Sequence, residues 1–108
     1  MNDDNVFLEH ISDEIEFLES NFYDLELEDL MKDQVLQRTC IKSLEVMGEA
    51  VKNISDDFKK EYSEIEWRKI AGLRDKLIHH YFGVDWGIVW NVIINKIPKI
   101  KENLLKIN

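Results

Sequence analysis

Arg74, Asp75, His79 and Tyr81 fall within one short stretch of the chain, and their side chains together offer the chemistry of a phosphate site. A guanidinium presents a rigid fork of donors that matches phosphate oxygens. An imidazole titrates nearest neutrality, and a neighbouring carboxylate can fix its tautomer and raise its pKa. The run from Trp67 to Phe82, wound as an α-helix at about 100° per residue, puts Trp67, Ile70, Ala71, Leu73, Leu77, Ile78 and Tyr81 on one apolar arc. Arg74 falls in the middle of that arc, where its charge is costly unless an anion meets it. Asp75 and His79 are four residues apart and share a face, as do Arg74 and Tyr81, seven apart. Arg74 and His79 are about 140° apart on a straight helix. They meet a common phosphate only through long side chains, an irregular helix end near Gly83, or a dimer that brings two such helices together.

Taken singly, each residue also has an ordinary role. Arg74 can form a buried ion pair with Glu45 or Glu49, and His79 can be structural or solvated. Tyr81 can be a core aromatic with a satisfied hydroxyl, and Asp75 and Lys76 can be solvated surface. The combination and its spacing are more specific than any one member.

The elements that must hold these residues are helical. Asp3 or Asp4 can cap a first helix striped by Phe7, Leu8, Ile11, Ile15, Leu18 and Phe22. A connection over residues 21–33 includes a helical turn near Glu26–Met31. A second long helix, about 33–53, faces Leu36, Cys40, Ile41, Leu44, Met47, Gly48 and Val51 inward, with Arg38, Glu45, Glu49 and Lys52 along its side. Ser55 looks like the cap of a short helix reaching about Glu61. The Arg74 helix is expected from about Ile65 to Phe82, ended by Gly83, and Asp85 can cap a last helix that Pro98 kinks or divides. That last helix has one apolar face in Val89, Ile93, Ile97, Ile100 and Leu104, and more apolar surface in Ile88, Trp90, Val92 and Ile94. It must bury two faces, either as a central helix wrapped by its own chain or against a second copy.

Length and composition bound the reading. A chain of 108 residues, 44% hydrophobic and 33% charged with four glycines and one proline, suits one helical domain over 1–108. Cys40 is the only cysteine, so no intrachain disulfide is possible, and no Cys/His cluster has zinc spacing. No metal or cofactor is expected. No apolar run approaches a membrane span and no basic region precedes an apolar stretch at the start, so a cytoplasmic protein is expected. The net charge of −8 is uneven: residues 1–34 carry twelve acidic side chains and one basic, residues 35–108 ten acidic and thirteen basic. The second half can meet a polyanion that the first half repels.

The spacing Arg74-x4-His79-x-Tyr81 resembles the signature of the HEPN-domain HepT-like toxin family. The likeness extends through Arg38 to Ala50, through Trp67-Arg68-x-Ile70-Ala71-Gly72-Leu73-Arg74-Asp75, and through Tyr81-Phe82-Gly83-Val84-Asp85 with Val89-Trp90. It covers roughly residues 5–106. The resemblance implies an all-α, up-and-down HEPN bundle of four to five helices, homodimeric, with two motif helices lining one cleft. It implies a metal-independent RNA endonuclease, the toxin of a type VII-like toxin–antitoxin system, with Arg74, His79 and Asp75 as catalytic residues. It also implies an MntA-like minimal nucleotidyltransferase antitoxin as partner, which inactivates the toxin by transferring AMP to Tyr81. No role is assigned to His80. The alternative is a non-catalytic nucleotide-binding or interaction module that partners a nucleotidyltransferase, which the acidic first half favours.

Overall fold

The computed structural model describes residues 3–73, 75 and 83–107, and among them the secondary structure is helical throughout. The helices are α1 (Asp4–Phe22), α2 (Leu27–Lys32), α3 (Gln34–Lys52), α4 (Asp56–Glu61), α5 (Trp67–Ala71), α6 (Trp86–Asn91) and, after a π-helical turn over Val92–Lys96, α7 (Ile97–Leu104). No helix among the described residues is long and apolar enough to cross a membrane.

Helices α1 and α3 form the antiparallel centre. Their apolar stripes meet as the periodicity requires: Ile11, Ile15, Leu18 and Phe22 against Cys40, Leu44, Met47 and Val51, all buried. Phe7, Leu8, Leu36 and Ile41 are half-buried at the margins of the same core. Burying a side chain of this size stabilises the fold by roughly 1.5–3 kcal/mol. Two polar ties fix the register. Ser43 Oγ donates to Glu14 Oε1 at 2.6 Å in mid-helix, and at the far end Ser55 donates to Asp4 from both its N–H and its hydroxyl, each at 2.7 Å.

The second tie departs from expectation. Asp4 was a candidate cap for α1, yet no side-chain cap bond closes that helix. Its carboxylate instead holds the cap of α4, where Ser55 Oγ in turn accepts from the Phe58 N–H at 3.2 Å. Two caps that sequence reading did not single out close the next helices: Asp33 accepts from Leu36 N–H at 3.0 Å to start α3, and Glu26 and Asp29 form a reciprocal capping box on α2.

The C-terminal rod runs antiparallel to α1, with Trp90 against Phe22 and Lys101 Nζ donating to Glu19 Oε1 at 2.8 Å. Pro98 divides it, as its missing N–H and its ring clash with the carbonyl four residues back require. The adjustment falls just before the proline: Ile97 N–H donates to Val92 O, five residues back, which widens the turn and leaves Pro98 in the first turn of α7. Val89, Ile93 and Ile97 are buried. The second apolar face is only partly unpartnered. Val92 is buried and Trp90 is half-buried by the same chain, whereas Ile88 and Ile94 remain 51% and 37% exposed.

Candidate functional site

Arg74, His79, His80 and Tyr81 lie outside the described residues, and so do Lys76 to Phe82 as a whole. What is described is the platform that leads into them. Helix α5 starts two residues later than the expected Ile65, because Ile65 and Trp67 close tight turns with N–H bonds to Tyr62 O and Ile65 O. Trp67 is buried, its indole Nε1 donating to Tyr62 O at 3.1 Å and its ring edge-on to Phe58. Ile70 and Leu73 are buried on the same side. These three anchors match the apolar arc on which Arg74 was placed.

Close approach to α3 sets the height of the platform. A Cβ on Gly48 would lie 3.1 Å from Ala71 O and 3.5 Å from Ile70 O, so only a glycine lets the two backbones pass this near. Sequence periodicity put Gly48 on the inward face of α3 without showing what it meets. The helix expected from Ile65 to Phe82 is interrupted: α5 ends at Ala71 with Gly72 as its C-cap, the Gly72 N–H donating to Arg68 O at 3.0 Å, and helical backbone returns at Leu73 and at the exposed Asp75. Glu45 is half-buried and Glu49 exposed on α3; the ion pair that either was expected to offer Arg74 lies outside the described residues.

On the far side of the motif, Asp85 caps α6, accepting from Gly87 N–H at 3.0 Å and Ile88 N–H at 3.3 Å. Gly83 does not take the left-handed backbone of a helix-ending glycine, and a Cβ there would meet nothing within 4 Å. Neither space nor conformation demands glycine at that position.

The electrostatics beside α5 are basic. A cleft of about 310 Å³ opens between α5 and α7, edged by Lys69, Lys96 and Lys99 over Ile65, Ile70 and Leu73. Glu66 stands in it, its carboxylate 2.6 Å from Lys69 Nζ. The Lys69 bond and charge hold the Glu66 carboxyl below the usual carboxylate range, with the charges of Lys96 and Lys99 adding to the effect. The sequence signalled this only as a basic excess over residues 35–108; folding gathers lysines some thirty positions apart around one carboxylate. Cys40 has no part in such chemistry, since burial pushes its thiol up to about 12. Among the described residues no three His, Cys, Asp or Glu side chains converge as metal ligands would.

The family model described as ribonuclease HepT-like matches residues 11–107 of the chain. A protein of Caldanaerobacter subterraneus subsp. tengcongensis, provisionally named an RNase, is 46% identical over 101 residues, 94% of this chain and 90% of its own length. The probable ribonuclease HepT of Thermococcus cleftensis is 43% identical over 101 residues, covering 94% of this chain and 92% of its own. A Methanocaldococcus jannaschii protein, also provisionally an RNase, is 47% identical over 96 residues, 88% of this chain and 76% of its own. No solved structure matches the chain significantly.

Proposed function

The chain belongs to the ribonuclease HepT-like family, and from that premise we propose that it is a metal-independent RNA endonuclease whose reaction is carried by Arg74, His79 and Asp75. The observation that carries the reading is the Arg74-x4-His79-x-Tyr81 spacing, which follows in sequence on the segment that Gly48, Trp67, Ile70 and Leu73 seat in the core.

In the proposed reaction the RNA 2′-oxygen attacks the adjacent phosphorus and the 5′-oxygen leaves, giving a 2′,3′-cyclic phosphate and a 5′-hydroxyl. One proton leaves the 2′-oxygen and one reaches the 5′-oxygen. The His79 imidazole moves these protons, and Asp75, one turn earlier, fixes its tautomer. Arg74 stabilises the charge that grows on the phosphate oxygens. The nucleophile comes from the substrate itself, so no metal-bound water is needed. The family resemblance makes the working unit a homodimer, which bridges the 140° between Arg74 and His79 on one straight helix: two motif helices line one groove and each protomer's Arg74 can serve a phosphate near its partner's imidazole.

The same reading makes the chain the toxin of a toxin–antitoxin pair acting in the cytoplasm. A small nucleotidyltransferase antitoxin transfers AMP to the Tyr81 hydroxyl, adding bulk and negative charge that repel RNA beside Arg74. His79→Ala should lower the rate of RNA cleavage by a hundred- to ten-thousand-fold, the usual scale of general acid–base help, measured on total RNA; equal cleavage by the variant would overturn the assignment. Protein co-expressed with the nucleotidyltransferase should gain AMP-sized mass increments that vanish in Tyr81→Phe. Increments that persist in that variant would move the modification elsewhere.

A further inference from the structure

The cleft that holds Glu66 does not end at α5. A second, shallower cleft of about 590 Å³ shares Ile65, Glu66 and Lys69 with it and continues between α4 and α5, edged by Lys59, Lys60 and Arg68. We propose that the two clefts form one track for the phosphates of single-stranded RNA, running past Lys59, Lys60, Arg68, Lys69, Lys96 and Lys99 alongside the helix that leads into Arg74. The proposal deepens the ribonuclease reading and rests on it for the identity of the polyanion.

Three observations carry it. Six cations face two carboxylates, Asp56 and Glu66, along these clefts, on a chain whose net charge is −8. A local reversal of that size concentrates a polyanion where the rest of the surface repels it. Lys69 meets a carboxylate at the junction in an exposed pair: Glu66 lies 2.6 Å from its Nζ and in the field of Lys96 and Lys99, so a phosphate arriving there competes with this carboxylate for the same lysines. The floor is apolar and closed, with Ile65, Trp67, Ile70 and Leu73 all buried. Among the described residues the aromatic that lines these clefts, Trp67, is buried, in contrast to surfaces that read single strands through exposed stacking faces. The track grips the backbone, and it positions a strand without selecting its sequence.

Counterion release makes this measurable. Binding of a 5′-labelled 20-nucleotide uridine RNA to the full-length His79→Ala protein, which holds RNA without cutting it, is followed by fluorescence anisotropy across a salt series. Adding Lys96→Glu and Lys99→Glu should weaken binding at least tenfold at low salt. It should also flatten the dependence of log K on log salt by about 1.4, since each single-strand phosphate contact contributes about 0.7. Glu66→Gln should tighten binding by about two- to fivefold. Lys42→Glu, exposed on α3 and outside both clefts, should change it by less than about threefold, and circular dichroism should be the same for all variants. Equal losses from Lys42→Glu and the Lys96/Lys99 pair, or no loss from the pair, would overturn the track. Unchanged RNA affinity with loss of a co-purified nucleotidyltransferase would overturn it too, giving the surface to a protein partner. A wild type that binds RNA through these lysines and never cuts it would remove the ribonuclease reading and leave the track standing. A wild type that cuts RNA, with binding unaltered in the lysine pair, would do the reverse.

Discussion

Asp4 stands where the cap of α1 is expected, yet its two carboxylate oxygens turn to the backbone N–H and hydroxyl of Ser55. A cap on its own helix offers one more hydrogen bond near water. The turn towards Ser55 joins two chain segments 51 positions apart and leaves the carboxylate only 8% exposed. Removing a partner from a buried bond leaves the other group unsatisfied, at about 1–3 kcal/mol. Asp4→Ala should therefore lower unfolding stability in urea by about that amount, and a loss below about 0.5 kcal/mol would show that water replaces the bond freely. Nothing in the local sequence marks this contact, because a carboxylate at a helix start is an ordinary cap signal. The motif residues are the opposite case. Arg74, Asp75, His79 and Tyr81 stand out in the sequence by type and spacing, yet of the four only Asp75 falls among the described residues.

At the scale of elements, the stripes of α1 and α3 and the caps at Ser55 and Asp85 were readable, since each is a local matter of period or turn chemistry. Two features were not. The π-turn before Pro98 depends on how the rod packs on α1; the proline requires an adjustment without dictating which form it takes. The approach of α5 to Gly48 depends on two segments more than twenty residues apart in sequence. Gly48→Ala sets two effects against each other. Alanine favours the helical backbone by about 1 kcal/mol, and crowding the Ala71 carbonyl at 3.1 Å costs about 1–3 kcal/mol. Helix α5 has only five residues and can shift a few tenths of an ångström, so stability should change by no more than about 1 kcal/mol. RNA cleavage should fall by about ten- to a hundredfold, because the shift displaces the segment that carries Arg74. Unfolding curves and cleavage rates on the same variant check this, and unchanged cleavage would separate the platform from the chemistry.

The whole molecule is elongated, with a radius of gyration of 14.0 Å and extents of 44 × 28 × 21 Å, against about 13 Å for a compact chain of this length. Its charge is divided, acidic over residues 1–34 and basic along the two clefts beside α5, where six cations face Asp56 and Glu66. The apolar surface left over includes Ile88 and Ile94 on the C-terminal rod and Tyr23, 83% exposed, beside Ile94 and Pro98. Periodicity announced two apolar faces on that rod, but not that Trp90 and Val92 would be covered at home, because both outcomes satisfy the same pattern. A homodimer should sediment as a single dimeric species at micromolar concentration, and a stable monomer would remove the shared groove. The ribonuclease reading itself turns on the 2′-hydroxyl. Wild-type protein in excess chelator should cut a short RNA to fragments ending in 2′,3′-cyclic phosphate and leave the same strand intact when every 2′-hydroxyl is replaced by hydrogen. Failure to cut the RNA, or equal cutting of the deoxy strand, would contradict the account.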